Sequence, residues 1–148
     1  MTITFDNLGL QFLYPENWTV TEQSQGELYS ASVTLQSPGT ACWTVHRYPS
    51  TCSPKQLIEE LVEAMEREYP QLEEEPMVQE LCGQETHGVR LYFYYLDLLV
   101  IWCLLPITIG GQVFLFESQA EDKEFDELEP VFLALSTSVL GHAQPGSG

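Results

Sequence analysis

Three histidines and four cysteines are the side chains of this sequence best suited to chemistry. His46 follows Cys42 by four residues, in a stretch where apolar and polar residues alternate. Four residues along a β-strand span about 13 Å, whereas a cysteine activated by a histidine must lie within hydrogen-bonding distance of it. The spacing therefore does not predict a catalytic Cys–His pair.

The other polar clusters lack the spacing of metal or phosphate sites. His87 is two residues from Glu85, and one histidine with one carboxylate is a weak metal site. The three glutamates at 73–75 lack the ligand spacing of a calcium-binding loop. The glycine pair at 110–111 does not belong to a phosphate-binding loop, and no Gly-x-Ser-x-Gly motif is present. We therefore expect no catalytic residue, no metal site and no cofactor.

Residues 89–111, VRLYFYYLDLLVIWCLLPITIGG, form an apolar stretch about as long as a membrane helix. Asp97 would cost about 2.5–3.5 kcal/mol inside a bilayer, and Pro106 would interrupt a helix. Aromatic and β-branched residues are abundant here and favour strands. The glycine pair then separates this stretch from a second apolar run, as in a tight hairpin. We predict buried strands; a membrane span and a core helix are the alternatives.

Asp97 is the unusual residue of this stretch. We interpret it as an acid in a turn or at a strand end. The alternative is a buried functional carboxylate, in a pocket that could also contain His46 or His87. Arg90 is a further candidate if the strands fold back suitably.

The apolar periodicity predicts strands, then a helix, then strands and a second helix. Strands are predicted at 2–5, 10–14, 18–21, 29–36, 41–46, 77–82, 88–96, 98–109 and 113–116. The first helix is predicted to begin with Ser53 as its N-cap and Pro54 in its first turn, and to end at Pro70. An acidic loop follows it. The second helix is predicted at 121–140, with a kink or a short first turn caused by Pro130.

Both faces of the later strands are apolar, so both faces need cover. We therefore predict an α+β fold: an α/β/α sandwich whose central antiparallel sheet carries a helix on each side. A length of 148 residues suits one domain. We predict that it covers residues 1–140 and that 141–148 form a flexible tail.

The net charge is −17, and the five basic residues do not cluster. Nucleic acids need a basic footprint and anionic membranes attract basic segments, so neither is expected as a partner. Residues 59–80 hold nine acids and one base, and residues 117–129 hold seven acids and one base. The simplest interpretation is solubility. The sharper one is a docking surface for a basic protein partner, with these candidates: Glu59, Glu63, Glu66, Glu73, Glu74 and Glu75.

The cysteines and the N-terminus indicate a cytoplasmic protein. The four cysteines form no Cys-x-x-Cys motif, and we interpret them as mostly buried free thiols of a reducing compartment. The first ten residues have neither the basic start nor the apolar core of a signal peptide.

Five segments resemble the PsbP-like superfamily, and they are spread along nearly the whole chain in the order of its elements. They are LGLQFLYPENWTV (8–20), SVTLQSP (32–38), SPKQLIEEL (53–61), YYLDLL (94–99) and GGQVFLFESQA (110–120). The superfamily includes an extrinsic photosystem II subunit, a nuclear-import factor that binds the GTPase Ran, and uncharacterised bacterial proteins, which this chain resembles most. The resemblance implies an α/β/α sandwich with an accessory or binding role and no chemistry. No thylakoid transit segment and no Ran-binding residues can be carried over.

The leading functional hypothesis is therefore a non-enzymatic domain that docks a protein partner through an acidic surface. The second is a small-ligand-binding protein or enzyme whose site is assembled only in the fold. The third is a structural subunit that docks through exposed aromatic residues, with Tyr14, Trp18 and Tyr48 as candidates.

Overall fold

A computed structural model describes residues 1–24 and 31–143, and eleven elements follow one another along the chain. The first half is mostly strand. Its elements are β1 (Thr2–Asn7), β2 (Leu10–Pro15), β3 (Thr19–Ser24), β4 (Ala31–Gln36), β5 (Cys42–Tyr48) and the helix α1 (Pro54–Glu68). The second half consists of β6 (Glu73–Leu81), β7 (Gln84–Tyr95), β8 (Leu98–Ile109), β9 (Gln112–Glu121) and the helix α2 (Asp122–Ala143).

Seven strands form one antiparallel sheet in the order β3-β4-β5-β9-β8-β7-β6. Its centre is the pairing of β5 with β9, which joins the N-terminal meander to the C-terminal one. The predicted strands at 2–5 and 10–14 do not join this sheet. They pair with each other as a two-stranded sheet, β1-β2, and β2 packs against α2.

Each face of the large sheet is covered by one helix, as the sequence predicted. On the α2 side the core contains Trp43, Phe114 and Phe116 together with Phe12 of β2. On the opposite side, α1 packs against a smaller cluster that includes Leu91, Leu104 and Leu115. Neighbouring residues of β9 thus belong to different clusters, because successive side chains of a strand point to opposite faces.

The apolar stretch 89–111 is confirmed as strand. It forms the end of β7, all of β8 and the turn into β9. Gly110 and Gly111 have φ angles of 58° and 75° in that turn, where glycine adopts positive φ without a steric penalty. Within the described residues, the helices are too short or too polar to cross a membrane.

The structure differs from the sequence prediction at several boundaries. The predicted acidic loop is shorter, because Glu73, Glu74 and Glu75 already belong to β6. Helix α2 continues through Pro130 and ends at Ala143, so the first three residues of the predicted flexible tail are helical. Residues 144–148 and the predicted start of β4 at 29–30 lie outside the described residues.

Candidate functional site

The outer side of α1 carries three of the six predicted docking residues. Glu59, Glu63 and Glu66 are exposed and recur at the helical spacing that places side chains on one side. The helix begins where predicted: the Ser53 hydroxyl accepts a hydrogen bond from the Gln56 backbone N–H at 3.3 Å. Its inner side is held on the sheet by buried Val62. Apolar packing therefore fixes the helix backbone that carries these exposed side chains.

The other three predicted docking residues do not share one face. Glu74 pairs with Leu91, which belongs to the cluster under α1. Glu73 and Glu75 pair with Tyr92 and Arg90 and point to the opposite face, because side chains alternate along a strand. All three are exposed. The structure thus groups Glu74 with the α1 side and separates the two glutamates that flank it.

The ion pairs recorded among the described residues involve other carboxylates. They join His46 to Glu117, His87 to Glu85, and Arg90 to Glu129. Of the six predicted residues, Glu75 accepts a hydrogen bond from the Tyr92 hydroxyl at 2.5 Å. This bond, which favours the protonated phenol, raises the pKa of Tyr92.

The histidines and Asp97 are not brought together. His46 lies on β5 and bonds to Glu117 of the neighbouring strand β9. His87 is exposed on β7, 2.8 Å from the Glu85 carboxylate. Asp97 is exposed in the β7–β8 turn with a φ of 65°, so the interpretation as a turn acid is confirmed. In the described parts of the chain, no three His, Cys, Asp or Glu side chains converge as a metal site would require.

The four cysteines are free thiols, and a nucleophilic cysteine requires a lowered pKa. Partial burial, and to a lesser degree the charge of Glu117, raises the pKa of Cys42. Burial raises the pKa of Cys103 to about 11 despite the nearby Arg90. Both thiols are therefore protonated at neutral pH.

The Arg90 side chain contacts two residues of α2. One of its guanidinium nitrogens donates to Glu129 of α2 at 2.9 Å, and the guanidinium lies 5.4 Å from the centre of the Phe125 ring. A cation over an aromatic face is attracted by the ring electrons. Arg90 therefore links β7 to α2.

The space beneath α2 is small. A cavity of about 40 Å³ lies between α2 and the sheet, bordered by Cys103, Phe125 and Phe132 among others. Sites for organic ligands typically measure about 300–1,000 Å³. This cavity has room for water at most.

The aromatic residues predicted to be exposed are not the exposed ones. Trp18 and Tyr48 retain only 7% and 6% of their accessible surface, and Tyr14 packs partly against the core. Trp18 meets Phe132 of α2 edge to face, with ring centroids 6.3 Å apart. Trp18 and Tyr14 belong to the core on the α2 side, whereas Tyr48 belongs to the cluster under α1. Alternation within one strand does not reveal such contacts between elements.

The exposed apolar surface lies instead at the tip of the β7–β8 hairpin. We call four large residues there the hairpin tip: Tyr94, Tyr95, Leu96 and Leu98. Two open clefts adjoin the hairpin tip, and both are bordered by Gln71, Glu73 and Tyr94. The sequence held a signal for this surface, because the turn of the YYLDLL segment consists of apolar residues around a single acid.

No protein-family model and no curated protein sequence matches the chain, but its fold matches solved structures. The solution structure of cyanobacterial PsbP (CyanoP) from Synechocystis sp. PCC 6803 is similar with a TM-score of 0.61 and 13% identity, over 93% of this chain and 89% of that one. LpqN of Mycobacterium tuberculosis, described as involved in cell envelope biogenesis, is similar with a TM-score of 0.50 and 12% identity, over 86% and 79% of the two chains. A structure from Bacteroides thetaiotaomicron VPI-5482 gives a TM-score of 0.52 at 17% identity, over 85% of this chain and 44% of that one.

These likenesses, at low identity, define the fold and not the activity. The chain has the PsbP-like α+β fold that its sequence motifs predicted, with the large antiparallel sheet between two helices.

Proposed function

We propose that this protein is a non-catalytic binding domain that docks a basic protein partner through the acidic outer side of α1 and the adjoining start of β6. The observation that carries the proposal is the exposed row Glu59, Glu63 and Glu66. The recorded ion pairs leave these three carboxylates unneutralised. The row is therefore open to a basic partner, with Lys55 and Arg67 as the two basic residues of the same helix.

Such a row favours association in a definite way. Carboxylates of one sign on one surface attract an oppositely charged patch and raise the rate of encounter. Exposed charges more than about 8–10 Å apart are screened at physiological salt. The association should therefore be fast at low ionic strength and should weaken steeply as salt is added.

The geometry gives less support to catalysis. The thiols of Cys42 and Cys103 are protonated at neutral pH, and the cavity under α2 is too small for an organic substrate. Since His46, His87 and Asp97 lie on separate parts of the sheet, a single site does not collect them. These positions favour the binding function over the enzymatic alternative.

We also infer that the protein works in the cytoplasm. Its four cysteines are unpaired in the fold, and free thiols persist in reducing compartments. Lysis in denaturant with N-ethylmaleimide, which also exposes buried Cys103, should label all four thiols. Recovery of a disulfide from gently lysed cells would contradict this location.

The test of the proposed function is an affinity capture from lysate of the source cell, eluted in steps of rising salt and read by mass spectrometry. The partner so found is then purified, and its binding rate is measured against a variant with Glu59→Gln, Glu63→Gln and Glu66→Gln. Glutamine keeps the helix propensity of glutamate, so the variant removes charge alone. We expect the association rate to fall by about tenfold or more at low salt.

A matched control removes three charges elsewhere. Glu16, Asp126 and Glu127 are exposed, and their neutralisation to Gln, Asn and Gln gives the same net charge as the α1 variant. The proposal requires this control to bind nearly as the wild type does. Equal losses in both variants, or binding indifferent to salt, would remove the case for a localised acidic surface.

A further inference from the structure

The hairpin tip is the most exposed apolar feature of the described residues outside Met1. Tyr94 and Leu96 keep 69% and 78% of their accessible surface, and Tyr95 and Leu98 about half of theirs. Tyr95 and Leu98 are register partners and share the α1 face of the sheet, whereas Tyr94 points to the opposite face. Leu96 lies in the turn between Tyr95 and Leu98, so these three residues form the contiguous part of the patch. A contiguous exposed apolar patch marks an interaction site more often than single exposed residues do.

The turn holds this patch at a conformational cost. Leu96 and Asp97 both have positive φ angles, 51° and 65°. Glycine, asparagine and aspartate are the usual residues at such positions, and a leucine there costs roughly 1 kcal/mol or more. Leu96 gains no burial in return. Contacts within the chain therefore do not explain why a leucine occupies this position.

Acidic and aromatic side chains border the patch on both faces of the sheet. On the α1 side, a cleft of about 500 Å³ is bordered by Glu68, Tyr69, Glu73, Phe93 and Tyr94, with three further residues of the α1–β6 connection. We call it the aromatic cleft. The rings of Tyr69 and Phe93 lie 4.5 Å apart there. On the other face, Glu73, Glu75, Tyr92 and Tyr94 border a second cleft of about 320 Å³.

We propose that the hairpin tip and the aromatic cleft together bind a partner segment in which an arginine or lysine is flanked by apolar residues. The cation would lie beside the Glu68 carboxylate and the Tyr69 ring on the α1 side, because the side chains of Glu73 and Tyr94 point to the opposite face of the sheet. The flanking apolar side chains would cover Leu96 and Leu98. Aromatic faces and carboxylates each attract a cation, and their attractions add when the cation is partly desolvated.

This inference rests on the proposed function and locates its energetic centre. The α1 row supplies long-range attraction, whereas aromatic and apolar anchors in a partly enclosed site supply most of the binding energy of a typical interface. A second copy of this chain is a poor occupant, because each copy would bring Glu68, Glu73 and Glu75 to the contact. Like charges brought together in this way oppose association.

The experiment titrates the ¹⁵N-labelled protein with three capped tripeptides and follows backbone NMR shifts. The tripeptides are acetyl-Leu-Arg-Leu-amide, the same peptide with citrulline in place of arginine, and acetyl-Gly-Arg-Gly-amide. Citrulline has nearly the shape of arginine without its charge. We expect saturable shifts at residues 69–73 and 93–98 with the first peptide and binding about fivefold or more weaker with either of the others.

Two variants locate the binding. Leu96→Ser should weaken binding of the Leu-Arg-Leu peptide by about fivefold or more, because it removes an apolar contact of the tip. Leu13→Ser, which changes an exposed leucine of β2, should leave it unchanged. Both positions are exposed, so both variants should fold, which the unfolding transition of each checks.

The outcomes separate this inference from the proposed function. Shifts spread evenly over Glu59, Glu63 and Glu66, or no saturation at about 10 mM peptide, would overturn the cleft as a binding site. Partner binding that still depends on the α1 charges would then leave the proposed function intact. Sedimentation equilibrium provides a further test: a dimer abolished by Leu96→Ser would show that the tip binds a second copy instead.

Discussion

At the scale of single residues, Glu124 accepts several hydrogen bonds from one loop. It lies in the first turn of α2, where a negative charge is favoured by the helix dipole. Its oxygens accept hydrogen bonds from the backbone N–H groups of Thr40 and Ala41 at 2.9 Å and from the Ser37 hydroxyl at 3.1 Å. It therefore fastens α2 to the β4–β5 connection.

The Glu124→Gln variant should lose stability in a pH-dependent way. Partial burial opposes ionisation, but the hydrogen bonds from Thr40, Ser37 and Ala41 outweigh it and lower the pKa of Glu124 below 4.5. A lowered pKa in the folded state means that the stabilisation is present at neutral pH and is lost as the pH falls through that pKa. Because the group is largely solvent-screened, we expect a deficit of about 1 kcal/mol at pH 7.

Urea unfolding of the variant and the wild type at pH 7, 5, 4 and 3 measures this deficit. It should be constant down to about pH 5 and should shrink below that. Glu127→Gln, one turn further along α2 at an exposed position, is the matched control and should change stability little at any pH. A deficit that grows as the pH falls would show that the carboxylate does not act as its hydrogen bonds indicate.

Gly88 is a second residue whose identity the fold requires. A side-chain methyl at Gly88 would collide with the carbonyl oxygen of Leu104 and come within 2.9 Å of the Leu105 side chain. Backbone in the middle of a sheet cannot move aside at low cost, so Gly88→Ala should destabilise by about 2 kcal/mol or more.

Thermal or chemical unfolding of Gly88→Ala measures this cost, and Gly141→Ala is its control. Gly141 lies in α2, where no atom stands near a methyl group in that position. Alanine there should stabilise by about 0.5–1 kcal/mol because its helix propensity is higher. If Gly88→Ala lowers the stability and Gly141→Ala raises it, the close approach of the Leu104 carbonyl, and not the loss of glycine itself, decides the effect at Gly88.

At the scale of elements, α1 has a defined start and a mostly apolar hold on the sheet. Its cap is the Ser53 hydroxyl, while the Gln56 side chain reaches Glu60 at 3.4 Å. The predicted N-cap at Ser53 is therefore formed. The position of the helix then depends on one side-chain cap and on packing around Val62.

Ser53→Ala should cost about 1 kcal/mol of folding stability, because it removes the acceptor for one of the unpaired N–H groups of the first turn. Thr51→Ala, at an exposed turn position just before the cap, is the control and should be nearly neutral. Guanidinium unfolding compares the two variants. A loss no larger than that of the control would indicate that water replaces the serine hydroxyl without penalty.

At the scale of the whole molecule, the charge of −17 acts on folding and on binding in opposite directions. Compacting the chain brings like charges together, which destabilises the folded state by self-repulsion. Added salt screens this repulsion. The same salt screens the attraction of the α1 row for a basic partner.

We therefore expect the melting temperature to rise between 20 and 300 mM NaCl while partner affinity falls. A gain of about 1 kcal/mol corresponds to roughly 2–4 °C in a chain of this size. Differential scanning calorimetry in sodium chloride measures the melting temperature. Chloride is used because sulfate would stabilise the fold through its exclusion from the protein surface. A melting temperature that falls with chloride would mean that local attractions outweigh the net charge in the folded state.

Local signals predicted most of the elements. The aromatic and β-branched residues of the apolar run 98–109 predicted β8 with the bounds that the structure shows, and Ser53 with Pro70 bracketed α1. These predictions succeeded because strand period, caps and breakers depend on neighbouring residues. The prediction missed the start of β6 because a run of glutamates has low strand propensity. In the structure, pairing with β7 outweighs that low propensity.

The arrangement of the docking residues was predicted less completely, because it too depends on strand pairing. Composition identified the acidic segment at 59–80, but the separation of Glu73 and Glu75 from Glu74 follows from strand pairing. The burial of Trp18 and Tyr48 depends on elements far away in the chain. A local sequence pattern does not distinguish an aromatic residue at the surface from one in the core.

The sequence by itself determined the fold class of this protein. The periodicity of its apolar residues and the two apolar faces of its later strands predicted an antiparallel sheet between two helices, and its composition gave the negative net charge. Those properties depend on contacts within a few residues or on sums over the chain. Only the tertiary structure decided that β5 pairs with β9, that β1 and β2 form a separate sheet, and that Tyr94 and Tyr95 are exposed. These arrangements depend on pairing and burial between segments distant in sequence, where many combinations satisfy the same local pattern.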